Sequence, residues 1–400
     1  MSDLDARFAR LEPLIDRALA LDGAARERFL ALCAEIYPDL AAALHGALAP
    51  EDDLPRLGAL ADQLTRPRGA DRSGQRVGAW RLCERIGQGG MGAVHRAERA
   101  DGAFEMQVAI KLLRGEDARW SEQLDRERRL LARLDHPGIT RLIDGGVLDD
   151  GQPWLAMELA AGEDLDLWLQ RGPTRRERLE VFLAICDAVS AAHRAQIVHR
   201  DLKPRNIRVI GAAQVKLLDF GIAKLLAPDV RAGTTRHLAL TPEYAAPEQL
   251  GGGEVTARTD VYALGALLHL LLTARSPHPP FDGNWADYAE RIARLDPPAP
   301  SLAVAAPHPQ ALPAAALRGD LDAIVARALR RDPAQRYGSA DALAQDLRRH
   351  LDDMPVAARA ATVRYRLGKW RRRHPIAAAV LGAALALVAA AIVWVFLFGH

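Results

Sequence analysis

Asp201, Asn206 and Asp219 have the types and spacing of a phosphate-handling site. Asp201 and Asn206, five positions apart, lie in H-R-D-L-K-P-R-N (His199 to Asn206), and Asp219 stands beside Phe-Gly in L-L-D-F-G (Leu217 to Gly221). One carboxylate can orient a hydroxyl, while an amide and a second carboxylate can hold Mg²⁺ against a triphosphate.

Such residues need a phosphate cradle upstream. The run G-Q-G-G-M-G-A-V puts Gly87, Gly89, Gly92 and Val94 at the positions of G-x-G-x-x-G-x-V, with Gly90 between them and Ile86 before. Backbone without side chains can lie close over phosphates and donate N–H groups to them. A dinucleotide-binding turn carries the same glycines. The two differ downstream of the glycines: that turn opens into a helix, whereas Ala93 to Ala100 reads as a strand, turns at Asp101-Gly102 and returns through Met106 to Leu112. The pattern predicts a glycine-rich hairpin. The next strand carries V-A-I-K, ending at Lys111, 19 positions after Gly92. A lone strand Lys is usually a solvated surface residue, but this one sits among apolar neighbours.

In order and spacing these motifs resemble the eukaryotic-like, Hanks-type serine/threonine protein kinases of bacteria. The resemblance implies an α+β, bilobal protein-kinase fold with a small β-rich N lobe and a larger helical C lobe. It implies roles residue by residue. Asp201 would accept or orient the proton of the substrate hydroxyl, with Lys203 near the transferred γ phosphate; Lys at that place resembles the Ser/Thr-directed branch. Lys111 would hold the α and β phosphates, paired with Glu127 on a helix expected over Trp120 to Leu134. Asn206 and Asp219 would hold Mg²⁺ or Mn²⁺. ATP would lie against Ile86, Gly87, Gly89, Gly90, Gly92, Val94, Ala109 and Lys111. Met157 would be the gatekeeper, and Glu158 and Leu159 the start of the hinge that meets adenine through backbone groups. Ala246-Pro247-Glu248 matches the A-P-E landmark, and Arg336 stands where the family pairs an Arg with that glutamate. Two departures are small: Met91 replaces a frequent aromatic at the loop tip, and Arg205 precedes Asn206.

The implied reaction is transfer of the γ phosphate of ATP to Ser or Thr hydroxyls of proteins. A pseudokinase scaffold is the alternative, and it predicts a missing Lys, Asp or Asn; none is missing. Arg200 beside Asp201 suggests control by loop phosphorylation, since a cation there needs an anionic partner. Thr234 and Thr235 are the candidate acceptors, a transient second copy of the chain would serve trans-autophosphorylation, and Thr241 would contact Asp201 and Lys203. His199 is given no proton-transfer role.

Helices are expected over Leu165 to Leu169, Leu179 to Ala195, Arg258 to Thr273, Trp285 to Leu295, Asp320 to Arg330 and Ser339 to Leu351. Residues 1–70 read as a helical region and linker with no catalytic constellation, and 77–354 as the kinase domain. Residues 355–375 form a basic juxtamembrane segment with Arg364, Arg366, Lys369, Arg371, Arg372 and Arg373. Ile376 to Phe398 is 23 residues without a charged or strongly polar side chain. That suffices for a transmembrane helix, with the basic flank on the cytoplasmic side. A buried core helix or a peripheral amphipathic one are the alternatives; the first lacks a further domain to be buried in, and the second a polar face. The expected place is therefore the inner membrane, single-pass, with the kinase in the cytoplasm. A formal net charge of +2 gives no support to nucleic acid as a partner. Cys33, Cys83 and Cys186 lack paired spacing, so reduced thiols fit better than a disulfide framework or zinc site.

Overall fold

The computed structural model describes residues 29–30, 32–33, 72–89, 92–113, 134–211, 213–220, 241–281, 285–304 and 308–398. They fall into two units: the chain through residue 132 with 141–159, and 133–140, 160–221 and 241–400. Several expectations lie outside the described residues: Gly90 and Met91 at the loop tip, the helix carrying Glu127, the loop with Thr234 and Thr235, and nearly all of 1–70.

The first unit is an antiparallel sheet ordered β1-β2-β3-β4-β6-β5. Its strands are β1 (Arg76–Val77), β2 (Trp80–Gly89), β3 (Gly92–Arg99), β4 (Gln107–Leu113), β5 (Leu142–Val147) and β6 (Pro153–Glu158). β2 and β3 form the expected hairpin, with Gly87 opposite Val94 and Gly89 opposite Gly92. Side chains two apart on a strand share a face, and Val108, Ile110 and Leu112 of β4 enter the core with Trp80, Leu82, Ala97, Trp154 and Ala156. Burying each large apolar side chain stabilises the sheet by roughly 1.5–3 kcal/mol. Trp80 keeps its indole N–H satisfied by donating to Asp144 Oδ2 at 3.1 Å.

The second unit is helical, with a small sheet of β7 (Glu163–Asp164), β8 (Ile207–Ile210) and β9 (Gln214–Leu217). Its helices are α1 (Leu165–Gln170), α2 (Arg175–Arg194), α3 (Pro247–Leu250), α4 (Ala257–Thr273), α5 (Trp285–Arg294), α6 (Pro300–Ala303), α7 (Ala314–Leu317), α8 (Asp320–Ala328), α9 (Ala340–Leu351), α10 (Val363–Arg373) and α11 (Pro375–Phe398). α2 begins ahead of the expected Leu179 because Thr174 makes a capping box with Glu177. α4 is apolar nearly all round and buried from Thr259 to Thr273. Gly265 lets α8 approach it: a Cβ there would stand 2.8 Å from that of Ala328.

At the C-terminal end, the segment 355–375 contains α10, which Thr362 caps through Tyr365 N. α11 follows as one helix of 24 residues. Among the described residues no single helix is long and apolar enough to cross a membrane; Val363–Arg373 and Pro375–Ala390, bent by 117°, meet that measure together.

Candidate active site

In the first unit, Lys111 lies opposite Val94 on one side and Leu155 on the other, and Ala109 opposite Met157. β4 is buried at five of its seven positions, and Lys111 is half-buried among them. Gly92 has a φ of +145°, and a Cβ on it would meet Leu112 O at 1.9 Å. The third glycine is therefore demanded by close passage over β4. Gly87 meets only ordinary contacts with Val94. Ile86 is exposed, Val94 and Leu159 are half-buried. Glu158 N donates to Arg141 O at 2.9 Å, and Arg141 N to Glu158 Oε2 at 3.3 Å. That Glu158 N–H is accordingly not available to a purine.

In the second unit, the catalytic loop is fixed by a carboxylate that the motifs do not point to. Asp260, in the first turn of α4 and 1% exposed, accepts His199 N at 2.8 Å and Arg200 N at 2.9 Å. It also pairs with His193 Nε2 at 2.7 Å. Arg200 has a φ of +67° and Asp219 of +50°. L-residues adopt such values only when their surroundings impose them, and the paired amides on Asp260 impose the first. Gln249 adds a second hold: its Nε2 donates to Arg200 O at 2.9 Å, and its Oε1 accepts Ala246 N at 3.1 Å.

His199 is buried, and both ring nitrogens are engaged. Nε2 faces the Leu218 carbonyl at 3.0 Å, so it carries the proton, and Nδ1 accepts the Asp201 amide at 3.3 Å. The ring is thus a neutral brace between the loop and the strand leading to Asp219, and it packs on Phe220 with centroids 4.6 Å apart.

Asp201, Lys203 and Asn206 come together. Asp201 Oδ2 is 3.0 Å from Lys203 Nζ and 3.0 Å from Asn206 Nδ2, which also donates to Asp201 O at 2.8 Å. Lys203 Nζ further donates to Thr241 Oγ1 at 3.1 Å, one of the two links expected of Thr241. Asn206 is buried in the turn Pro204–Asn206, and Leu218 N donates to its carbonyl at 2.8 Å, tying it to the chain just before Asp219. With Nδ2 committed to Asp201, the oxygen Oδ1 is the side-chain atom that Asn206 can offer a cation. An amide oxygen with the Asp219 carboxylate is a hard-oxygen pair. It suits Mg²⁺, which takes one or two protein ligands and completes its shell with phosphates and water.

The expected Arg336–Glu248 pair is present and bidentate, Nη1–Oε1 2.7 Å and Nη2–Oε2 2.8 Å. Arg336 also donates to the carbonyls of Arg258, Arg330 and Arg331, and Thr259 Oγ1 donates to Glu248 Oε1 at 2.8 Å. The pair is buried yet fully hydrogen-bonded, the condition under which burying charge is tolerated.

Comparison with known proteins agrees with this geometry. The model of the protein kinase domain matches residues 80–347. A probable serine/threonine-protein kinase of Streptomyces coelicolor is 38% identical over 296 residues, covering 71% of this chain and 42% of that protein. The serine/threonine-protein kinase PknB of Mycobacterium tuberculosis is 36% identical over 294 residues, covering 71% of this chain and 45% of that protein. The crystal structure of the Mycobacterium tuberculosis PknI kinase domain superposes with a TM-score of 0.54 at 28% identity, covering 70% of this chain and 99% of that domain. The chain thus spans less than half the length of these two curated relatives. Its fold is the bilobal one, a β-sheet N lobe and a helical C lobe, and the chain belongs to the protein kinase family.

Proposed function

We propose that this chain is an active serine/threonine protein kinase that uses ATP with Mg²⁺ or Mn²⁺. The observation that carries the reading is the Asp201 carboxylate held between Lys203 and Asn206, with Lys203 also on Thr241. A Ser or Thr hydroxyl placed at Asp201 loses its proton to that carboxylate as its oxygen bonds to the γ phosphorus. The bond from that phosphorus to the bridging oxygen breaks, and ADP leaves with the electron pair. Lys203 faces the negative charge on the transferred group. A divalent cation on Asn206 Oδ1 and Asp219 would neutralise phosphate charge. Nothing in the site favours a scaffold: the Lys, both Asp residues and the Asn are present.

The test uses the full chain in detergent or nanodiscs with labelled ATP, Mg²⁺ and a generic protein substrate, followed by phosphosite mapping. Wild type transfers label to Ser and Thr; Asp201→Asn binds ATP but transfers at least ~10³-fold more slowly. ATP binding without transfer in the wild type would establish the scaffold reading instead. Autophosphorylation is expected at Thr234 or Thr235, with Arg200 as the cation that a phosphate there would meet.

The same reading places the chain at the inner membrane, single-pass, with the kinase domain in the cytoplasm. Support comes from the side chains of α11: Ile376, Val380, Leu385 and Leu387 are each more than 60% exposed, a continuous apolar surface that water disfavours. Among the described residues only the bent pair Val363–Arg373 and Pro375–Ala390 meets the length and apolarity of a span, so the reading rests on the uncharged run Ile376 to Phe398 in the sequence. Alkaline washing should leave the full chain in membranes and release a chain ending at Arg373.

A further inference from the structure

The basic segment before α11 is not a free tether. Its helix α10 is fastened to the second unit at Asp320, the first residue of α8. Asp320 is 5% exposed and faces four donors: Lys369 Nζ at 2.7 Å, Arg359 Nη1 and Tyr365 OH at 2.9 Å each, and His350 Nδ1 at 3.2 Å. Lys369, on α10, is itself 4% exposed, and Tyr365 OH also reaches Val356 N at 3.0 Å. Burial alone would raise the Asp320 carboxyl; the bonds from His350, Lys369, Arg359 and Tyr365 outweigh it and hold the group well below the usual carboxylate range.

Tyr365 and Lys369 are four apart, one above the other on a helix face. Val363 and Leu367 repeat the same spacing on the far side, and they are exposed at 82% and 50%. Arg364, Arg366 and Arg371 are exposed beside them. One face of α10 is therefore spent on the protein, and the other presents two aliphatic side chains flanked by arginines, the composition of a helix that lies in a lipid headgroup layer. The 117° bend into α11 has the matching geometry. With α11 along the membrane normal, α10 lies about 27° from the membrane plane.

We propose that α10 is an interfacial helix: its Val363–Leu367 face and flanking arginines rest in a layer of anionic phospholipid, while Lys369 and Tyr365, clamped on Asp320, hold the second unit against that layer. The orientation rests on α11 crossing the bilayer. The attraction of the arginines to anionic headgroups does not.

The test places a single environment-sensitive label on the full chain, through Leu367→Cys with Cys83→Ser and with Cys33 and Cys186 left in place because they are buried, in nanodiscs of neutral phosphatidylcholine or with phosphatidylglycerol added. With phosphatidylglycerol the label should shift to the blue and be quenched at least twofold more by lipids brominated near the headgroup. Joint replacement Arg364→Gln, Arg366→Gln and Arg371→Gln, all on the exposed face, should abolish that gain without moving the melting temperature. Equal quenching in both lipids, or in the triple variant, would overturn the proposal. Alkaline extraction runs alongside. A chain that resists extraction but shows no lipid dependence keeps the span and loses the interfacial helix. A chain that is extracted but still binds phosphatidylglycerol vesicles in a salt-sensitive way, through these arginines, keeps the interfacial helix and loses the span.

Discussion

Two helices of the second unit begin with a buried carboxylate that gathers distant groups, and they gather different kinds. Asp260, on α4, takes two backbone amides and one imidazole. Asp320, on α8, takes only side chains: a lysine, an arginine, a tyrosine and a histidine. Both sit in the first turn of a helix, where the exposed N–H groups favour negative charge. Amides held on a carboxylate set backbone torsions, so Asp260 determines where Asp201 points. Side chains on long stems leave the backbone free to adjust, so Asp320 sets which elements are attached and leaves their fine geometry to other contacts. The first is a positioning device for chemistry, the second a fastening.

The largest effect should come from breaking the first. Asp260→Ala would leave three buried donors without their acceptor, each costing about 1–3 kcal/mol, and the variant should fail to fold stably. Asp260→Asn keeps one acceptor oxygen and is the informative change. Phosphoryl transfer should fall about 10²-fold, equal to about 2.7 kcal/mol of barrier, with ATP affinity altered less than threefold. Nucleotide binding by fluorescence and turnover on a soluble substrate separate the two quantities. Retained turnover would show that Asp201 does not depend on the amides held by Asp260.

A pH titration separates the regions next. His278, bonded through Nε2 to Tyr262 OH of α4 at 2.7 Å, is driven by burial, and secondarily by His269, to a pKa of about 4. Its folded value lies below the ordinary histidine value near 6.5, so the unfolded chain binds more protons between those limits. Stability from a neutral His278 is complete above about pH 6.5 and is lost as pH falls toward 4, on the order of 3 kcal/mol in all. Asp320 has the opposite chemistry and a lower window. Its contribution is complete above the ordinary aspartate range near 3.9 and drains only below it. Unfolding by denaturant between pH 7 and 4.5 should show the first loss without the second. His278→Gln should flatten the curve, and a curve unchanged by that substitution would remove His278 as its cause.

Asp320→Asn should be milder than Asp260→Asn. Loss of the charge weakens four bonds and lowers stability by about 2 kcal/mol, read as a fall of roughly 4–8 °C in melting temperature. Amide exchange in α10 should rise, while turnover on a soluble substrate stays within twofold. A large loss of turnover would mean that the fastening also positions the catalytic loop.

Gln249 offers the finest test, since it lies on the Asp260 side of the comparison but holds only one carbonyl. Gln249→Glu can still accept from Ala246 N but cannot donate to Arg200 O. Turnover should drop about 3–10-fold, equal to about 0.7–1.4 kcal/mol, and Gln249→Met should match it. A Glu variant with wild-type turnover would make the Arg200 carbonyl bond incidental.

The parts of the site with fixed spacing are legible in the sequence. The glycine hairpin, Lys111 on its strand, the Asp201–Lys203–Asn206 group and the Arg336–Glu248 pair stand where the motifs place them, because each motif encodes a local geometry or a fixed partner. Glu127 and the acceptor threonines lie outside the described residues. In the sequence Asp260 marks only the start of a helix, since its partners are 60 or more residues away. Asp320 is equally silent: its donors lie 30 to 49 residues downstream, each an ordinary basic or aromatic side chain in sequence. β5 gives no strand signal because Leu142–Val147 holds two glycines and no clean alternation, and Gly weakens a strand. The early start of α2 is written in Thr174 and Glu177, a capping box that periodicity alone does not weigh.

The Arg336–Glu248 pair also bears on the order in which the chain assembles. It closes a loop of 88 residues, and closing a flexible loop of that length costs about 4 kcal/mol of chain entropy. One buried pair is worth a similar amount at best, so it cannot draw the ends together in an unfolded chain. The packing of α4 on α8 at Gly265 and Ala328 can hold the chain that carries Arg336 near Glu248, so the pair is expected to form after that packing. During synthesis, then, the A-P-E segment would wait for residues almost ninety positions further on. A ribosome-stalled chain ending before Arg336 should leave Thr241 to Glu248 open to protease, and one that exposes Tyr337 and α9 should close it.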